Sequence, residues 1–415
     1  MNSPGELDPR RFSSARPPVM LLGGLNIARA LGLAGIPVIV ASTEAHQAAF
    51  ASRYCRGRLL LPSLENRAAA ADALLRVGER LAAGLGRRLP LFYSNDDWQR
   101  LVQDYRAELA RHYALLLNGA EVARAVIEKD LFQPFAASRG LPIPQTLAWN
   151  ELERFNRPVL IKPKTKFAWD VSSVHLRLFE RQGKARIFPN GRALLADAAA
   201  QRLRDELLIQ EYVTGDDREL WSFHGFSDEN GRLLDWFIGR KIRTYPALTG
   251  ISTYIELAHD DEVVHLGRHI VSRLPLKGVF KIDLKRDRVT GRLRLLEVNA
   301  RYNLWHYLGA ANGVNLTRTA YEYLLYGTRP AVAGRYGATC RWIYLRYDWR
   351  AYRELAARGE LSLPAWLASL GAAPKVCQLF AWTDPLPFIN KLYHSVKSRL
   401  PRLTALLRRW LSTAS

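Results

Sequence analysis

Asp283, Glu297 and Asn299 carry oxygen donors at a spacing that lets them hold one hard cation. They lie in VFKIDLKRDRVTGRLRLLEVNAR, the stretch Val279–Arg301, which reads as a β-hairpin. Val279 to Leu284 alternates like a strand, Arg286 to Gly291 supplies turn residues, and Arg292 to Asn299 returns as a second strand. Successive strand side chains point to opposite faces, so Glu297 and Asn299 share one face, and a suitable register sets Asp283 beside them. With Lys281 in line and Arg301 just beyond, the set suits a cation such as Mg²⁺ holding phosphate oxygens. An ordinary hairpin with a charged solvent face would look the same, and the hairpin alone leaves both readings open.

Other cations could act on such phosphates. Arg157-Pro158-Val159-Leu160-Ile161-Lys162-Pro163 is a strand ending in lysine, a mobile point charge suited to phosphate oxygens or simply a surface residue. The strand Ile238 to Pro246 bears three cations, with Arg240 and Ile242 facing one way and Lys241 and Arg243 the other. Lys241 and Arg243 are the candidates for a substrate carboxylate or a transferred phosphoryl group, because Arg can grip a carboxylate by two bonds. A solvated face is the competing account. His306 follows an aromatic cluster and is a candidate base, although a lone histidine there is more often structural. No nucleophilic triad is evident.

The elements that must position these residues begin with the chain as a whole. Its 415 residues exceed one core and allow two or three domains, and 48% hydrophobic with 24% charged residues is the balance of a soluble globular protein. The net charge of +21, from 60 Lys and Arg against 39 Asp and Glu, favours polyanionic partners such as nucleotides or an anionic membrane. No nucleic-acid module is recognisable, so nucleic acid is not expected. Cys55, Cys340 and Cys377 form no metal or disulfide pattern, which suits a reducing cytosol. Residues 1–18 read as a flexible leader without a signal peptide's apolar run, and Val19 to Ala41 is too interrupted to span a membrane.

Val19 to Leu22, Gly23-Gly24, Ile27 to Ala34 and Pro37 to Ala41 read as strand, turn, helix, strand. Further strands at Gly57 to Leu61 and Leu89 to Tyr93, with helices between and after, make a doubly wound α/β domain over 19–120. Asn95 and its neighbours read as a helix cap more than a ligand loop. Residues 339–390 hold four tryptophans, and an appended aromatic-rich subdomain is expected over 331–390. The tail 391–415 has no acidic residue and alternates Lys or Arg with Leu, Tyr and Trp. It is a candidate for peripheral contact with an anionic membrane, at the inner face if the protein is cytoplasmic.

Asp283, then Glu297-x-Asn299 fourteen positions on, then Arg301, resembles the metal-binding end of the ATP-grasp superfamily, with Ala300 where Pro is usual. EKDLFQPFAASRGLPIPQT, from Glu128, resembles that family's entry motif of a basic residue, a short helix and Gly-hydrophobic-Pro-x-Pro. The phrases GRKIR, EVNAR and Asp384-Pro385-Leu386-Pro387 resemble a bacterial subgroup of the carboxylate-amine ligase type related to D-aspartate ligase. The resemblance implies a Rossmann-like pre-ATP-grasp domain followed by an ATP-grasp fold of two α+β subdomains, 121–206 and 207–330. It implies that Lys129 and Lys162 meet the ATP phosphates, that Gln210, Glu211, Tyr212 and Val213 meet adenine, and that Glu219 meets the ribose. Mg²⁺, or Mn²⁺ in its place, would sit on Asp283, Glu297 and Asn299, with Arg301 beside the transferring phosphoryl group. The loop from Lys164 to Asp170 departs from the family in having no glycine. The implied activity couples a small carboxylate to an amine. Its rivals are a non-catalytic nucleotide sensor at a membrane and an enzyme using bicarbonate or a thiol acceptor.

Overall fold

Val19–Leu22 (β1) is a run of four buried apolar residues, continuous because a parallel strand is covered on both faces. It leads through Gly23-Gly24 into helix Leu25–Leu33 and back through Val38–Ser42 (β2), which pairs with it in parallel. Gly23 is required by close approach: a Cβ there would stand 2.0 Å from Ser94 Oγ. Cys55–Leu60 (β3), Leu89–Tyr93 (β4) and Tyr113–Ala114 (β5) complete a parallel sheet in the order β3-β2-β1-β4-β5. Helix Asp96–Asp104 starts at Asn95, whose Oδ1 accepts from the Trp98 N–H at 2.9 Å, so that loop is a cap.

A computed structural model describes residues 7–164 and 185–397. The chain divides into two units: one runs to Ala114 and resumes at Cys377, and the other is Leu115–Val376. The first boundary falls near the expected residue 120. The last does not, since 377–397 groups with the Rossmann-like sheet instead of continuing an appended subdomain. The cause is a buried ion pair. Arg29, on helix Leu25–Leu33, meets Asp384 at 2.9 Å with both side chains 0% exposed. Its Nη2 also donates to the carbonyls of Leu379 and Asp384 at 2.8 and 3.0 Å. Asp384 accepts further from Ser52 Oγ and the Arg53 N–H, each at 2.8 Å.

Within the second unit, Val159–Pro163 (β6), Arg186–Phe188 (β7) and Leu207–Glu211 (β8) form a small antiparallel sheet, order β7-β6-β8. Leu147, Leu152, Val159, Ile161, Phe188 and Leu207 are among the buried side chains under it. Leu220–Ser227 (β9), Leu233–Tyr245 (β10), Ile251–Leu257 (β11), Gly278–Arg286 (β12) and Leu293–Asn299 (β13) build the larger sheet. Arg341–Ile343 (β14) and Lys375–Cys377 (β15) extend it to seven strands in the order β13-β12-β9-β10-β11-β14-β15. Two strands of the expected 331–390 region thus join this sheet, and residues up to Val376 group with the second unit. Among the described residues no helix is long and apolar enough to cross a membrane. The expected glycine-free flap at 165–170 and the tail beyond Lys397 lie outside the described residues.

Candidate active site

The hairpin of β12 and β13 takes the register that its alternation allows. Asp283 stands directly opposite Glu297, and Lys281 opposite Asn299. An irregularity just after Asp283 shifts the ladder by one residue, and pairing resumes with Leu284 opposite Leu295. Asp283 is buried and accepts from Ser222 Oγ on β9 at 2.5 Å and from Lys281 Nζ at 2.7 Å. Glu297 is exposed, and its Oε1 accepts from Asn299 Nδ2 at 3.1 Å. Arg301 Nη2 in turn donates to Asn299 Oδ1 at 3.1 Å. Two carboxylates and one amide oxygen are thus gathered on one face, flanked by cations that balance their charge.

That donor set fits a hard cation. Among the described residues no group of three or more His, Cys, Asp and Glu could hold a metal ion. Two carboxylates with an amide leave coordination positions for a ligand's own oxygens, the usual condition for a cation shared with phosphates. Lys241 on β10 feels the same charges. Burial pushes its ammonium below the ordinary lysine value, Lys281 adds to that effect, and Asp283, Asp217 and Glu297 oppose it.

Arg243 does not join Lys241. The pairing of β10 with β11 is irregular between Lys241 and Arg243, which breaks the parity that groups them in the sequence. The Arg243 fork closes on Asp348 instead, with Nε and Nη2 each at 2.8 Å and both side chains buried. Thr253 Oγ1 and Trp366 Nε1 also donate to Asp348, at 2.9 Å each. Arg243 is therefore a tie between the sheet and helix Leu345–Ala357, and it is withdrawn as a substrate ligand.

Beneath the hairpin lies a layer that alternation did not reveal. His224 on β9 pairs across to Lys281, and both of its ring nitrogens are buried without a hydrogen-bond partner. Its ring stacks on Phe237 at 4.6 Å and Trp305 at 5.1 Å, and meets His306 edge-on at 5.9 Å. His306 is fully buried too, which removes it as a solvent-facing base. The signal for His224 was its place in Leu220–Ser227, an unbroken buried run.

Burial holds both imidazoles neutral, pushing His306 down to about 4 and His224 well below its ordinary value. The folded pKa values thus lie below the unfolded value of about 6.5, so the unfolded chain takes up protons first as pH falls. Stability should be intact above about pH 6.5 and fall by roughly 1.4 kcal/mol per pH unit per histidine below it. Urea unfolding between about pH 7 and pH 5 checks this, with His306→Asn expected to flatten the slope. An identical slope in the variant would remove His306 as a source.

The adenine-binding expectation is partly redirected. The Glu211 N–H donates to Gln145 O and the Tyr212 N–H to Pro158 O, each at 2.9 Å, so neither faces a ligand. Glu211 turns its carboxylate to Arg157 at 3.0 Å and Arg294 at 3.9 Å, at the edge of a cavity of about 480 Å³. Gln210 is buried with Nε2 unpartnered, an orphan donor that a base could satisfy, and Val213 is buried too. Tyr212 Oη accepts from Lys285 Nζ at 3.0 Å, and that ammonium lies 4.2 Å from the ring centroid. Burial lowers Lys285 to about 8 against the pull of Asp217 and Asp216. Glu219 is half-buried, 3.8 Å from Arg288. Gly215, at φ +116°, leaves room for it, since a Cβ there would meet Glu219 Cγ at 2.6 Å.

Lys162 sits on β6 opposite Leu208. Lys129 begins helix Lys129–Ala137, and its side chain is outside the described set.

No family model matches the chain. It is 21% identical over 295 residues to D-aspartate ligase of Enterococcus faecium (strain Aus0004), covering 67% of this chain and 68% of that protein. Solved structures agree in fold. N5-carboxyaminoimidazole synthetase from Staphylococcus aureus complexed with ADP superposes with TM-score 0.56 at 11% identity, covering 78% of this chain and 81% of that one. Biotin carboxylase from Campylobacter jejuni gives 0.57 at 11% identity, over 78% of this chain and 74% of that one. L-amino acid ligase from Bacillus licheniformis gives 0.51 at 14% identity, over 75% and 74%.

Proposed function

We propose, from the ATP-grasp fold that this chain carries, that it is an ATP-dependent, ADP-forming ligase that joins a small carboxylate to an amine. The observation that carries the reading is the placement of Asp283 directly opposite Glu297, with Asn299 two positions on and Lys281, Arg301 and Lys241 around them. A carboxylate resists amines because oxide is a poor leaving group, whereas the acyl phosphate made from it releases phosphate as the amine bonds to the carbonyl carbon. Such a transfer asks the protein for positioning and charge neutralisation more than for covalent chemistry.

Asp283, Glu297 and Asn299 would hold Mg²⁺, with Mn²⁺ as the alternative, and the metal would neutralise charge between phosphate oxygens when bound. Lys162 and Lys129 take the nucleotide's phosphates. Arg301 and Lys241 flank the group that moves, with Lys241 orienting the carboxylate acceptor. The Gln210 amide and Val213 recognise the base, and Glu219 takes the ribose hydroxyls. The name D-aspartate ligase, borne by the relative in sequence, supports an amino-acid carboxylate as the first class to try. All three cysteines are free, which suits work in a reducing cytoplasm.

The test is ADP release with Mg²⁺ across pairs of amino-acid carboxylates and amines. A productive pair should stimulate turnover, and Lys162→Ala should raise the KM for ATP by roughly tenfold to a hundredfold, the scale of one charge-assisted phosphate contact. Binding of ATP without stimulation by any pair would sink the ligase reading in favour of a nucleotide sensor.

A further inference from the structure

The helical segment over 386–397 is mounted inside out. Its covered positions are Pro387 and the polar Asn390, His394 and Ser395, with the His394 ring 4.2 Å from that of His46. Most of its outward positions are apolar: Leu386, Ile389, Leu392, Tyr393 and Val396 are each 51 to 59% exposed. At helical pitch these five lie within an arc of about 120°. Trp382, just before the helix, is 89% exposed. This presentation is enforced from below, because Asp384 is the acid buried against Arg29, Ser52 and the Arg53 N–H. The Phe380 ring also holds Trp382 at 4.8 Å and Phe388 at 5.6 Å.

The charge along this part of the chain has one sign. After Asp384 the chain contains no Asp or Glu, whereas Lys391 and Lys397 are exposed on the helix and Arg399, Arg402, Arg408 and Arg409 follow in sequence. We propose that this face docks on the surface of an anionic lipid bilayer. Apolar side chains would enter the boundary between headgroups and acyl chains, Trp382 and Tyr393 would sit at headgroup level, and the lysines would meet lipid phosphates. A second copy is the poorer occupant, since a two-fold contact would set Lys391 and Lys397 against the same cations.

The experiment is co-sedimentation of the full chain with phosphatidylcholine vesicles, with and without phosphatidylglycerol, alongside the exposed-face variant Ile389→Glu/Leu392→Glu. The expected result is binding to the phosphatidylglycerol vesicles that weakens with salt and drops about tenfold or more in the variant. Circular dichroism should show the variant folded, since both positions are half-exposed. Equal sedimentation of the two proteins, binding independent of phosphatidylglycerol, or binding by neither would overturn the proposal. So would a dimer that the variant dissolves in the absence of vesicle binding.

Discussion

Glu297→Gln is expected to leave the protein folded and to lower ADP formation by about a hundredfold to a thousandfold, the scale of removing one preorganised charge at a reacting centre. Glu297 is exposed, and its Oε1 accepts from Asn299 Nδ2. A glutamine keeps one oxygen in that place and exchanges the other, with the negative charge, for a neutral NH2 of similar size. The stability change should stay within about 0.5 kcal/mol, as for other exposed positions. Steady-state ADP release, a thermal melt and ATP titration on the same preparation separate these effects. An unchanged kcat would remove the hairpin from the chemistry, whatever the fold.

Asp283 makes a less clean test. It is buried, and Lys281 and Ser222 both donate to it, so Asp283→Ala leaves a half-buried ammonium without its counter-ion. Loss of activity there would mix chemistry with a destabilisation of several kcal/mol. Asp283 secures the hairpin to β9, whereas Glu297 faces outward.

The legible parts of the molecule were those set by neighbours in sequence. Alternation in Val279–Leu284 and Arg292–Asn299 showed that a suitable register could bring Asp283 beside Glu297 and Asn299, and the structure supplies that register, with Asp283 across from Glu297. The βαβ opening was legible for a similar reason: Val19–Leu22 and Val38–Ser42 are short apolar runs on either side of a glycine turn. Parity failed at Arg243, where one irregularity in β10 turned a candidate ligand into a buried partner of Asp348, 105 positions away. The adenine expectation met a different limit: Gln145 and Pro158 already take the N–H groups of Glu211 and Tyr212, and only the fold shows which backbone groups remain. His224 was hidden because a strand buried on both faces has no alternation to read.

The same limit applied to the end of the chain, where Arg29 and Asp384 meet across 355 positions, and it sets the second large effect. Asp384→Ala should destabilise the first unit by roughly 3 to 5 kcal/mol, the range for breaking a buried ion pair by removing one partner. The carboxylate is fully buried and receives Arg29 Nε, Ser52 Oγ and the Arg53 N–H, so its loss strands three donors at once. Arg29 would still donate to the carbonyls of Leu379 and Asp384, which keeps the guanidinium in place as an uncompensated charge. The return of 377–397 onto the Rossmann-like sheet should therefore open first. Hydrogen exchange read by peptide is the suitable measurement, because the second unit need not respond. Amides of 386–397 and of helix Leu25–Leu33 should lose protection by two to three orders of magnitude or more, about 1.4 kcal/mol per factor of ten, while the large sheet keeps its protection. Equal loss across both units would mean that Asp384 supports the whole chain, and no loss would mean that the pair is held in place without contributing stability.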